Sequence, residues 1–310
     1  MAGADAGIAL AIASGKGGVG KTTTAVNLGA ALVESGHEVV LVDVDLGMAN
    51  LGAMVGLAHP EATIHDVLAD RAPFEDALHE GGGLTVLPGS TDLDHFADAE
   101  TRSLERLVNT LKSRFDVVLL DVGAGLNRDI AMAIQASDGV LLVTTAELPA
   151  LTDASKTGEL VERLDVPVVG AVFTGTGGGP FDDVESVATA LGTTGKVTVS
   201  VPADNHVREC VRKGMPVVFD AEAAPAAVAY RRLASSLETA LELDHSGGTE
   251  SDEFEWVDPE SGRSLDEPDT PDPVMEVPLE TLIEEAGLES NPSAVDDGVR
   301  VLEKVRSWFG

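Results

Sequence analysis

Two lysines five residues apart carry the first chemistry that can be read in this chain. They stand in "SGKGGVGKTTT", residues 14–24, where Gly15, Gly20, Lys21 and Thr22 fit the spacing G-x-x-x-x-G-K-[ST]. Glycines let backbone N–H groups turn inward and approach an anion closely. A helix starting there adds free N–H groups and its positive dipole end. Gly15, Lys16, Gly17, Gly18, Val19, Gly20, Lys21, Thr22 and Thr23 are thus candidates to cradle a phosphate chain. Lys21 would reach the β- and γ-phosphates, and the Thr22 hydroxyl would take a position on Mg²⁺. One lysine is enough for that work, which leaves Lys16 to be accounted for.

Carboxylates come next. "VVLVDVDLGMANL", residues 39–51, is an apolar run ending in Asp43 and Asp45. Strand alternation predicts both on one side, at the carboxyl end of the strand, where open α/β sheets bind ligands. "FDVVLLDVGAG", residues 115–125, is a second buried run, ending in Asp121.

The elements that must position these residues follow a regular plan. "IALAIA", residues 8–13, reads as a buried parallel strand feeding the glycine loop, and residues 23–33 as the helix after it. Further strands are expected at 39–43, 84–87, 117–121, 139–144, 168–173 and 197–201. Helices are expected at about 22–35, 101–113, 129–136, 151–164, 182–191, 206–213 and 223–242. Alternation at this spacing implies an α/β fold: a three-layer, doubly wound, mostly parallel sheet of the P-loop NTPase type.

The segment "GKGGVGKTT" resembles the deviant phosphate loop of the MinD/ParA ATPases, and the resemblance covers roughly residues 7–243. It implies ATP and Mg²⁺ as ligands and slow, dimerisation-coupled hydrolysis. Lys16 would be the signature lysine, reaching across a face-to-face homodimer to the partner's phosphates, as an arginine finger does in trans. Asp45 would orient the attacking water, Asp43 would sit near Mg²⁺, and Asp121 would hold Mg²⁺ through water. Gly123 and Gly125 fall in the second switch, where Val122-Gly123-Ala124 departs from a frequent proline. Glu147 and Asp153 are candidate dimer contacts, with an exposed acidic loop as the other reading. Thr174 and Gly175 stand where relatives place an Asn or Arg beside the adenine. The backbone around Pro202 to Asp204 would line the adenine pocket.

Composition narrows the class. The 310 residues carry 53 acids against 20 Lys and Arg, a net charge of −33. Such a surface repels itself and needs screening, which fits a halophilic prokaryote. No Lys/Arg cluster is present to neutralise a phosphate backbone, so nucleic acid is not an expected partner. A single cysteine, Cys210, permits no disulfide and no CxxC, and reads as a packed thiol. No signal peptide or membrane-spanning run is read, which gives a cytoplasmic expectation.

The chain changes character near residue 244. Residues 244–294 are acidic and rich in Pro, Gly and Ser, and read as a disordered linker with a possible short helix at 278–287. Residues 295–310 read as an amphipathic helix with Val301, Leu302, Val305, Trp308 and Phe309 on its apolar side and basic flanks. That is the pattern of an interfacial membrane anchor, and the resemblance points the same way; packing on the chain's own domain or on a protein is the alternative. The expectation is an ATP-dependent dimerising ATPase, a reversible membrane-surface switch that positions division, motility or polar machinery. In its ATP state it would sit peripherally on the membrane, and it would meet a protein partner or activator that the sequence does not identify. Two alternatives stay open: a soluble partner-loading ATPase whose C-terminal helix grips a protein, and an ATP-sensing module without hydrolysis.

Overall fold

The structure, a computed structural model, describes residues 7–45, 47–90, 101–125, 127–177, 193 and 196–243, with the backbone alone for 101–103. The helix expected at 182–191, the linker at 244–294 with its 278–287 helix, and the C-terminal helix with Val301, Leu302, Val305, Trp308 and Phe309 lie outside the described residues.

Apolar runs too short for helices and buried on both faces make the sheet. In chain order the strands are β1 (Ile8–Ser14), β2 (Val39–Asp43), β3 (His79–Gly81), β4 (Leu84–Leu87), β5 (Val117–Ala124), β6 (Gly139–Thr145), β7 (Val168–Thr176) and β8 (Val197–Pro202). They lie in the order β3-β4-β2-β5-β1-β6-β7-β8. Every pairing is parallel except β3 with β4. The helices are α1 (Lys21–Glu34), α2 (Leu51–Met54), α3 (Ile64–Leu68), α4 (Thr101–Lys112), α5 (Arg128–Gln135), α6 (Leu148–Arg163), α7 (Asn205–Lys213), α8 (Val217–Asp220) and α9 (Pro225–Leu241).

Strand alternation divides the core in two. Leu10, Ile12, Leu41, Leu119 and Leu141 face one side with buried residues of α1, α8 and α9. Ala9, Ala11, Ala13, Val40, Val118 and Leu120 face the other, with residues of α3, α4 and α5. Helix, sheet, helix is the three-layer solution to burying a parallel sheet on both faces.

The chain leaves β1 for β2 in one direction and enters β6 on the other side of β1, with β5 inserted between β1 and β2. Ligand crevices form at such reversals, outside the strands' carboxyl ends. Register brings the chemistry to that point. Asp43 of β2 pairs with Asp121 of β5, and Asp121 pairs in turn with Ile12 of β1, two residues before the glycine loop.

Candidate nucleotide site

The glycine loop turns β1 into α1. Gly20 is the N-cap of α1 at φ 94°, a left-handed conformation open to glycine. Gly15 has no space for a side chain, since a Cβ there would meet the Asp153 carbonyl oxygen at 2.2 Å. This contact seats the loop on the first turns of α6. The two lysines part company here. Lys21 is buried at 9% exposure. Lys16 is exposed, and no ion pair of its ammonium occurs among the described residues.

A cavity of about 540 Å³ opens over the loop, within the range of small-molecule sites. Its lining includes Gly17, Gly18, Gly20, Lys21, Thr22, Thr23, Asp45, Asn50, Met54, Gly123, Asn127 and Asp129. Burial lowers the Lys21 pKa, and the charges of Asp121 and Asp45 oppose that shift. Burial pushes Asp121 up to about 8, with the Asp43 charge adding to the effect and the Thr22 hydroxyl and Lys21 opposing it. Asp121 Oδ1 is buried with no hydrogen-bond partner among the described residues. An orphaned carboxylate oxygen beside the Thr22 hydroxyl is a hard-oxygen donor set, which fits Mg²⁺ and its waters.

Asp43 and Asp45 are held differently, although their charges act on each other and both act on Asp121. β2 ends at Asp43, so strand alternation does not extend to Asp45. Asp43 is fully buried and absent from the cavity wall. Its Oδ1 accepts the Asp45 N–H at 3.2 Å, and its Oδ2 accepts the Asn50 and Leu51 N–H groups at 3.0 Å each. Burial pushes its pKa up to about 6 against these N–H groups. Asp43 therefore closes the loop 45–51 at both ends. Asp45 lines the cavity, accepts the Met48 N–H at 3.2 Å, and lies against Gly123, where a Cβ would approach its Oδ1 to 3.1 Å.

The remaining candidates fall around this centre. Glu147 is exposed at the N-cap of α6, and Asp153 pairs with Lys156 at 3.4 Å while its backbone touches Gly15. Asp204 caps α7: its carboxylate accepts the N–H of His206 at 2.9 Å and of Ala226 at 3.2 Å. Its side chain is thus occupied, and what Pro202 to Asp204 offer a ligand is backbone. Thr174 points to the loop: its hydroxyl donates to the Val19 carbonyl at 2.6 Å. Cys210 is a buried thiol donating to Asp220 at 3.3 Å, with burial pushing its pKa up to about 11. Sequence reading missed Ser14, Asn50, Asn127 and Asp129. Asn127 did leave a signal, as a cap residue just before α5, where its Oδ1 accepts the Ile130 N–H.

Known proteins match this chain in sequence and in fold. The family model described as an AAA domain matches residues 8–166. An uncharacterised ATP-binding protein of Methanocaldococcus jannaschii is 35% identical over 238 residues, 74% of this chain and 87% of that protein. The crystal structure of the cell division ATPase MinD of Pyrococcus furiosus matches with a TM-score of 0.71 and 35% identity, over 75% of this chain and 99% of that one. The septum site-determining protein MinD of Pyrococcus horikoshii, solved with Mg-ADP, matches with a TM-score of 0.69 and 32% identity, over 76% of this chain and 97% of that one. By sequence and fold, the chain belongs to the MinD/ParA family of P-loop ATPases.

Proposed function

We propose that this chain is an ATP-dependent dimerising ATPase that works as a reversible switch at a membrane surface and positions division, motility or polar machinery. The observation that carries the reading is the division of labour between its lysines: one buried in the cavity wall, one exposed beside it.

ATP is the nucleotide favoured by the relatives described as ATP-binding or as a cell division ATPase. The relative solved with Mg-ADP supports Mg²⁺, as does the orphaned Asp121 oxygen. Thr22 and Asp121 would hold the ion, Asp43 acting from behind by holding the loop; the ion would neutralise charge on the phosphates. Lys21 neutralises the same phosphates from within the cavity. Asp45, which lines the cavity, would accept a hydrogen bond from the attacking water and orient it. Glu147 and Asp153 remain candidate dimer contacts, Asp153 with its backbone against Gly15 of the loop.

Lys16 is exposed next to the cavity-lining Gly17, with no ion pair among the described residues. It fits a task in a second subunit: completing the charge around that subunit's phosphates and so making hydrolysis depend on pairing. Met48 and Leu148, at 78% and 39% exposure, are large apolar side chains exposed at this end of the sheet, which supports a face that meets another copy. Among the described residues no helix is long and apolar enough to cross a membrane. The amphipathic pattern of residues 295–310 favours a peripheral attachment. A single short amphipathic helix binds marginally, and two joined in a dimer bind well by effective concentration.

Liposome flotation in high KCl tests this reading, with ATP or ADP, for the full chain and a truncation ending at Ser293. Flotation of the full chain alone, and with ATP alone, is the expected result. Flotation independent of nucleotide removes the switch, and no flotation at all reassigns the C-terminal segment to a protein partner.

A further inference from the structure

Thr174 has no part in the reading above, yet it contacts the phosphate loop. It lies on β7, 155 positions from Val19 in sequence, and its Oγ1 donates to the Val19 carbonyl at 2.6 Å, with the Thr144 carbonyl a longer, competing acceptor at 3.3 Å. A Cβ on Gly20 would sit 3.5 Å from Thr174 Cγ2, so the two residues are packed together. Ser14 makes the matching contact on the other limb of the loop, its hydroxyl donating to the Lys16 carbonyl at 2.8 Å. Neither hydroxyl lines the cavity, whereas Gly17 and Gly20 do.

In a trans peptide the carbonyl of one residue and the N–H of the next point in opposite directions. A Val19 carbonyl held toward Thr174 therefore turns the Gly20 N–H away from Thr174, toward the cavity. Without that hold, the peptide before a glycine rotates at little steric cost, and a carbonyl turned to the cavity would repel an anion. We propose that Thr174 is a positioning residue for phosphate binding: its hydroxyl fixes the Val19–Gly20 peptide so that the Gly20 N–H meets a phosphate oxygen of a nucleoside di- or triphosphate, and it does not read the base. The proposal rests on the nucleotide site described above and adds what aims it.

The test is calorimetric titration of the full chain with Mg-ADP and Mg-GDP, for the parent and for Thr174→Ser, Thr174→Ala and Thr174→Val, with melting temperatures taken without nucleotide. Thr174→Ser is expected within about twofold of the parent, and the other two weaker by about tenfold for both nucleotides, the scale of one net hydrogen bond. Equal affinity of Thr174→Ala and Thr174→Ser overturns the proposal, as does a loss confined to one base. If Thr174→Val fails to fold, the Ser and Ala pair carries the comparison, since they differ by the hydroxyl alone. A parent chain that binds neither nucleotide overturns the underlying site reading, and that result is visible before any substitution is made.

Discussion

The phosphate loop and the loop after β2 flank the same cavity and are held in opposite ways. In the first, side-chain hydroxyls of Ser14 and Thr174 take up carbonyls, at Lys16 and Val19. In the second, carboxylates of Asp43 and Asp45 take up N–H groups, at Asp45, Met48, Asn50 and Leu51. A loop whose carbonyls are engaged presents N–H groups and attracts anions. A loop whose N–H groups are engaged presents oxygens and suits water or a cation. The two walls therefore differ in polarity for a reason that lies behind them. Asp43 holds its loop at the ends and leaves Gly47 and Met48 exposed between.

The largest expected effect comes from removing what the first wall projects. Lys16→Ala should leave ADP binding intact, abolish the ATP dimer in size-exclusion chromatography, and lower turnover by about 10³-fold or more, the scale of a charge supplied in trans. Removing what the second wall presents comes next. Asp45→Ala should lower turnover by about 10²–10⁴-fold and leave the dimer standing in ATP. A variant that stays monomeric with ATP would place Asp45 in assembly instead. Asp43→Asn attacks the clasp itself, turning an NH₂ toward backbone N–H groups. A cost of about 2–3 kcal/mol in urea unfolding is expected, with faster hydrogen exchange at Asn50 and Leu51. Gly89→Ala presses on the same clasp from outside, its Cβ coming within 2.5 Å of Ala49 Cβ and 3.2 Å of Asp43 Cγ. Overpacking of that kind costs about 1–3 kcal/mol. Smallest of all, breaking the exposed Arg114–Glu75 pair, 2.8 Å apart, should change stability by less than about 1 kcal/mol. In molar salt the electrostatic part of that effect should vanish.

Much of this was legible in the residues. Seven strands could be read because a parallel sheet buried on both faces writes unbroken apolar runs, as in residues 8–13 and 117–120. β3 could not: "HEG" has no apolar pattern, and it is a strand only because the turn at Gly82 and Gly83, both at positive φ, folds it back on β4. α2, α3 and α8, of four or five residues each, are likewise fixed by their surroundings more than by periodicity. The phosphate loop was legible because its function demands residue types at fixed spacing. The roles of Asp43 and Thr174 were not, since a sequence places a carboxylate or a hydroxyl at a strand end without saying which way it turns.

β3 also settles how the sheet ends. It is three residues long, antiparallel, and carries Glu80 at its centre. A sheet of parallel strands would otherwise finish on β4, whose unpaired edge is a template for another chain. The short charged strand offers another chain little ladder to extend on that side, so that a meeting of two molecules need not become aggregation.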